Sequence, residues 1–335
     1  MNNNDMFDVP ILLIFFARPQ QFQKVFEQIK LIKPRTLFLY QDGPRFGRED
    51  DIAAIKECRK IVEEIDWDCD LHKKYQIDNF GCDPSEYIAQ KWAFSIADRC
   101  IILEDDDVPS QSFFYFCKEL LEKYKDDERI NMICGMNNTG ISHHIEESYL
   151  FSTSGSITGW ASWKRVVDTW DDSYNFLSEN KSIYDLRKNY VNKIDVNHFL
   201  KNCIKHKASG KVHYESILSS SALLNSRLNI VPTKNLISNI GVTENATHSV
   251  SNIKMLPKGI RIIFNMKTYE IEFPLKHPKY VLEDYKFRKE LYRIMAVGHP
   301  FVRIFRKIES VLLRLKYGDF KGLKKSLKNK FKKKD

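Results

Sequence analysis

The stretch Cys100-Ile101-Ile102-Leu103-Glu104-Asp105-Asp106-Asp107-Val108-Pro109-Ser110 decides how the chain is read. An apolar run of buried-strand length ends abruptly in four consecutive carboxylates. Pro109 and Ser110 follow, and a helical pattern opens behind them. Four acids at the carboxyl end of a buried strand repel one another if all are ionised. A hard divalent cation relieves that repulsion, because Mg²⁺ and Mn²⁺ favour carboxylate and phosphate oxygens. In open α/β sheets, ligands bind beyond the carboxyl ends of strands. The stretch therefore reads as a strand that delivers a metal to a phosphate-bearing ligand. The other reading is a solvated acidic turn, since Asp also favours the positive end of a following helix.

Strand and helix patterns alternate at short intervals on the amino-terminal side of this stretch. Val9–Ala17 reads as a first strand, broken by Arg18-Pro19, and Gln20–Ile32 has helical spacing through Phe22, Val25, Phe26 and Ile29. Thr36–Tyr40 is a second strand ending in the turn Gln41-Asp42-Gly43-Pro44. A helix over Glu49–Ile65, a strand over Asp66–Tyr75, a loop at Asn79–Cys82 and a helix over Pro84–Asp98 lead into the acids. A helix over Ser110–Tyr124 and a strand over Ile130–Cys134 follow. This alternation predicts crossover connections and a mainly parallel sheet flanked by helices, an α/β fold.

Beyond residue 135 the alternation decays. Gly159–Trp163 is expected to open a helix running to Trp170, Glu215–Asn225 to be a helix, Leu228–Pro232 a strand, and Arg261–Phe273 a β-hairpin. The expected division is one domain over 7–275, with a nucleotide-binding half (7–135) and an acceptor half (136–275). A helical basic tail follows over 276–335.

The 335 residues are 43% hydrophobic and 29% charged, as in ordinary globular proteins. Seven scattered cysteines without a Cys-x-x-Cys pair predict reduced thiols, not a disulfide framework or a zinc site. No signal peptide or membrane span is expected, and the reduced thiols lead to the expectation of a cytoplasmic protein. The net charge of +9 is unevenly spread: Arg303–Asp335 carries thirteen Lys/Arg against three Asp/Glu, and the remainder is nearly neutral. That argues for a tail meeting an anionic surface and against a nucleic-acid-binding body. Two apolar stripes run through the tail, Phe301 to Leu315 and Phe320 to Phe331. Such basic amphipathic helices lie in the interface of anionic membranes. Contact with the inner membrane face is expected mainly through the second stripe.

Several stretches, in order, resemble metal-dependent nucleotide-sugar glycosyltransferases of the GT-A (Rossmann-like) fold, in the branch of N-acetylglucosaminyltransferase I and its bacterial relatives. They are Phe15-Phe16-Ala17-Arg18-Pro19, Tyr40-Gln41-Asp42-Gly43, Asn79-Phe80-Gly81-Cys82 and Leu103-Glu104-Asp105-Asp106. Gly159-Trp160-Ala161-Ser162-Trp163-Lys164-Arg165 and Asn239-Ile240-Gly241 through Ala246-Thr247-His248 complete the set, which covers roughly residues 9–250.

The resemblance implies a sugar transfer from a nucleoside diphosphate sugar, with a UDP-sugar expected, to a glycan or lipid-linked glycan acceptor in surface polysaccharide (lipopolysaccharide) synthesis. It implies Mn²⁺ or Mg²⁺ held by Asp106, with Asp107 available if the register shifts by one and His248 on the metal or pyrophosphate side. Glu104 and Asp105 would face the ribose or donor sugar. Arg18, Asp42, Asn79 and Gly81 would hold base and phosphates, and Trp160 would lie near the site. Glu215 falls where the family carries its general base, implying an inverting transfer. The tryptophans that surround that base in the family are absent. Two alternatives remain: a sugar-phosphate nucleotidyltransferase, disfavoured because no glycine cluster follows the first strand, and a catalytically silent nucleotide- or glycan-binding module.

Overall fold

The computed structural model describes residues 6–189, 193–242, 253–320 and 322. Strands and helices alternate as expected through the first half: β1 (Ile11–Phe15), α1 (Pro19–Ile32), β2 (Thr36–Gln41), α2 (Glu49–Val62), β3 (Asp70–Tyr75), α3 (Cys82–Ile96) and β4 (Arg99–Glu104). A three-residue strand β5 (Asp107–Pro109) comes out of the acidic run, followed by α4 (Gln111–Lys123) and β6 (Ile130–Cys134). Then come β7 (Tyr149–Ser152), β8 (Trp160–Trp163), α5 (Lys164–Val167), α6 (Asn180–Asn189), α7 (Lys193–Ser209), α8 (Tyr214–Leu224) and β9 (Leu228–Pro232). The chain continues through β10 (Ile237–Asn239), α9 (Lys258–Arg261), α10 (Tyr285–Met295) and α11 (Pro300–Lys316).

Eight strands form one mixed sheet in the order β3-β2-β1-β4-β8-β6-β9-β7. β1 to β4 are mutually parallel, and β6 and β9 point the same way; β8 and β7 run against them. The sheet is thus mainly parallel and flanked by helices, a Rossmann-like α/β fold. The chain steps outward from β1 to β3 and then returns past β1 to β4. The strand order therefore reverses between β1 and β4, where open α/β sheets form a ligand crevice.

Alternation in the central strands feeds two cores. Leu13, Phe15, Leu39, Ile101 and Leu103 face α1 and α4 together with Phe22, Phe26 and Phe113. Leu12, Ile14, Phe38, Tyr40 and Ile102 face α3 with Ala89, Ala93 and Phe94. Helix α1 forms because Phe22, Val25, Phe26 and Ile29 repeat at helical spacing and Pro19 suits its first turn.

Two expectations fail. Gly159–Trp163 does not open a helix: Trp160–Trp163 is strand β8, paired on both sides, with β4 and β6. Trp160 goes to one core and Ala161 and Trp163 to the other, a period of two that the two neighbouring strands impose. Arg261–Phe273 is not a hairpin; it leaves α9 as irregular chain. Its backbone binds other loops instead: Asn265 N–H donates to the Asn239 carbonyl (2.8 Å) and Tyr269 N–H to that of Asn235 (2.9 Å). All seven cysteines are unpaired, as expected.

Trp160 is 2% exposed. Trp160→Ala lowers the unfolding free energy by about 3–5 kcal/mol, read from the denaturant midpoint; a loss under about 1 kcal/mol would contradict its place in the core.

Candidate active site

The site is built where the strand order reverses. Arg18 caps α1 just past β1, and the acids follow β4. The register sets Ile14 beside Glu104, so the two turns lie level with each other. Arg18 Nη1 donates to Asp106 Oδ2 (2.8 Å), and Nη2 pairs with Asp105. Asp105 also accepts from the Phe16 backbone N–H (3.1 Å). Its carboxylate is 2% exposed and fastens the β1 turn to the β4 turn, so it is turned inward and not towards open solvent. Asp106 accepts a second bond, from Asn239 Nδ2 (3.2 Å), and its carbonyl accepts from Ile240 N–H (2.9 Å). An added Cβ on Gly241 would lie 1.9 Å from Asp106 Oδ2, so only glycine lets this loop come so near.

Asp107 is directed into the protein. One of its oxygens accepts from the Gly159 N–H (2.8 Å) ahead of β8, and the other from Asn239 Nδ2 (3.2 Å). The β5–β10 pairing sets Asn239 opposite Asp107, which is why one amide reaches both acids. Asp107 therefore braces the acidic turn against β8.

Asp42 and the Asn79–Gly81 loop form one unit beyond β2. Asp42 accepts from the backbone N–H groups of Gly43 (3.0 Å), Phe80 (2.9 Å) and Gly81 (2.9 Å), and from Asn79 Nδ2 (2.8 Å). Gly81 takes φ 87°, a left-handed conformation that suits glycine, and caps α3. The structure thus brings Asp42, Asn79 and Gly81 together, with the Asp42 oxygens holding the loop in shape.

The remaining expected residues fall in different places. Glu104, half-buried, ends β4. Glu215 is exposed in the first turn of α8, capped by His213. Its neighbour Tyr214 is buried beside Glu86, Gln90 and Glu104, which sets the start of α8 against the acidic cluster. Trp160 is packed in the core, so its ring does not present a face to a ligand. His248 lies outside the described residues.

The charge at the site is lopsided. Burial raises the carboxyls of Glu86, Glu104, Asp105 and Asp107 above their ordinary range, and repulsion among the acids adds to this; at Asp105, Arg18 pulls the other way. Burial alone would lower the Arg18 guanidinium, but its two acids hold it well above normal. Among the described residues, no three His, Cys, Asp or Glu side chains are grouped to hold a metal ion. The chemistry of the side chains gathered here still suits a hard divalent cation: they offer carboxylate oxygens, and one guanidinium faces several acids. Mg²⁺ commonly takes one or two carboxylates, with phosphates and water supplying the rest.

Glu86, Gln90, Tyr214 and Asn239 were not among the expected site residues. The signal for the first two was present in α3: Glu86 and Gln90 stand four apart on the stripe of Ala89, Ala93 and Phe94, polar positions on a buried face. Asn239 stood in the quoted Asn-Ile-Gly segment, and only the β5–β10 pairing reveals what it holds.

No protein-family model matches the chain, and no curated protein does. Solved structures similar to part of it include the inositol-1-phosphate CTP transferase from T. maritima, 8% identical with a TM-score of 0.37 over 70% of this chain and 89% of that one. The UDP-glucose pyrophosphorylase complexed with UDP-glucose is 10% identical (TM-score 0.35, 69% and 92%). The 4-diphosphocytidyl-2C-methyl-D-erythritol synthase from Anaerococcus prevotii is 12% identical (TM-score 0.32, 62% and 99%). Likeness at this level carries no argument about activity.

Arg18→Ala leaves two buried acids without their cation and lowers the unfolding free energy by about 3–5 kcal/mol, measured by denaturant unfolding at neutral pH; an unchanged midpoint would show that the pair does not hold the two turns together. Asp42→Asn places an amide NH₂ against N–H donors and costs about 1–3 kcal/mol in the same assay. Faster proteolysis within residues 77–82 is expected to accompany it, and an intact loop would refute the bracing role.

Proposed function

We propose that the chain is a metal-dependent transferase acting on a nucleoside diphosphate sugar, with a UDP-sugar as donor, and that it moves the sugar to a hydroxyl of a glycan or lipid-linked glycan. The reading rests chiefly on one observation: Arg18 and Asp106 meet at 2.8 Å at the reversal point of the sheet, beside surplus carboxylates. Gathering several buried acids beyond the strand ends carries an electrostatic cost that a bound cation would offset.

In this reading Asp106 ligates Mn²⁺ or Mg²⁺ and Arg18 meets the phosphates, exchanging part of its hold on the acids for the ligand. The cation would neutralise charge on the departing nucleoside diphosphate. The Asp42–Asn79–Gly81 loop offers a pre-shaped wall for base and ribose, and Glu104 faces the sugar side. Glu215 takes the proton of the attacking hydroxyl, which makes the transfer inverting. Asp105 and Asp107 act through the turns they brace. A lipid-linked acceptor in surface polysaccharide synthesis suits a protein whose basic tail meets the inner membrane face.

The second reading is a sugar-phosphate nucleotidyltransferase. One of the similar structures is a UDP-glucose pyrophosphorylase, at a similarity too low to transfer an activity. Ala17-Arg18-Pro19 stands where that class needs a glycine-rich phosphate loop.

Calorimetric titration of UDP and GDP with and without Mn²⁺ tests the donor site. Binding of one nucleotide is expected to require the metal and to be lost in Asp106→Asn; no binding of either would overturn the sugar-transfer reading. Release of UDP from a UDP-sugar supports sugar transfer, whereas pyrophosphate released from UTP and a sugar 1-phosphate would establish the second reading. Glu215→Gln should lower the turnover about 10²–10⁴-fold with nucleotide affinity unchanged; full activity in that variant would remove Glu215 as the base.

A further inference from the structure

Helix α11 is amphipathic, yet it is mounted with its polar side towards the protein. Arg303 Nε donates to the Ala296 carbonyl (2.8 Å), Arg306 Nη2 to that of Gly259 (3.1 Å), and Glu309 accepts from the Lys258 N–H (2.9 Å). Arg314 pairs with Asp319 at the carboxyl end (2.9 Å). These residues lie on one side of the helix with Val302 and Leu313, which are half-buried. Phe301, Ile304, Phe305, Ile308, Val311, Leu312 and Leu315 stand on the other side, and none of the helix is fully buried. Phe301 is 83% exposed and Phe305 77%. At 3.6 residues per turn these seven side chains span an arc of about 120°. Phe320, 65% exposed, follows the stripe. A helix that exists only to pack on a body buries such a face; this one turns it outward.

We infer that the outward face of α11 lies in the interface of an anionic membrane. Charge selects this occupant. Lys307 borders the stripe on one edge and Lys316 on the other, and the sequence continues from Lys321 to Asp335 with eight lysines and one acid. A second copy of the chain seated on the stripe would bring these like charges together, whereas anionic headgroups neutralise them while the acyl boundary takes the phenylalanines. No helix among the described residues is long and apolar enough to cross a membrane, so the helix lies on the surface. The inference deepens the membrane-side reading of the tail. It moves the apolar contact from the second stripe, most of which lies outside the described residues, to Phe301–Leu315, and it stands apart from the catalytic reading.

The test is co-sedimentation of the full chain with vesicles containing phosphatidylglycerol and with pure phosphatidylcholine vesicles. Binding to the anionic vesicles is expected, falling about tenfold or more in F305E/L312E, with the unfolding midpoint unchanged. Should that pair unfold the protein, the milder F301S/I308S reads the same face. Absence of binding by the wild-type chain, or equal binding by the folded variant, overturns the inference. So does a concentration-dependent dimer that the variant abolishes, because the face then belongs to a second copy. The unfolding midpoint reports folding whether or not a nucleotide binds, so failure here is separable from failure of the donor-site titration.

Discussion

The guanidinium of Arg18 is the interaction on which the arrangement of the site depends. It bridges Asp105 and Asp106 from across the gap between β1 and β4. Burying several carboxylates together is unfavourable unless a cation joins them. Arg18 supplies one such charge, and it does so where the strand order reverses. Around this bridge each neighbouring loop contributes a donor: Phe16 N–H to Asp105, Asn239 to Asp106, Gly159 N–H to Asp107. The acidic turn is thus tied to β1, β8 and β10 at once.

The aspartates look equivalent in sequence but differ in what holds them. Asp105 and Asp107 each accept from a backbone N–H of a neighbouring turn, Phe16 and Gly159, whereas the Asp106 carboxylate is held by two side chains, Arg18 and Asn239, close to the Gly241 backbone. Tyr214 at the start of α8 is buried beside Glu86 and Glu104, and its neighbour Glu215 is exposed. The crossing strand β8, inserted between β4 and β6, carries the second half back against the first.

Much of the first half was legible in sequence because its signals are local. Apolar runs of strand length and helical spacing occur in regular order up to Cys134, and a Pro or Gly marks several of the turns between them. The β8 segment was misread because Trp160 and Trp163 also fit a helical spacing; only two flanking strands make the period two. The Arg261–Phe273 alternation misled for the opposite reason. Its residues alternate as in a strand, but their backbone groups are taken by the loops around β10, leaving no ladder to form.

By itself, the sequence determined the α/β alternation, the acidic strand end, the turn residues Arg18, Asp42 and Gly81, and the basic amphipathic carboxyl end. These follow from short-range patterning, which sterics and burial enforce within a few residues. Only the tertiary structure decided which partner holds each acid, that Glu86, Gln90 and Asn239 stand beside them, and which side of α11 meets the body. Those outcomes depend on partners far away in the chain, such as Asp106 with Arg18 and Asn239, and no local pattern encodes a hydrogen bond whose other half lies more than eighty residues distant.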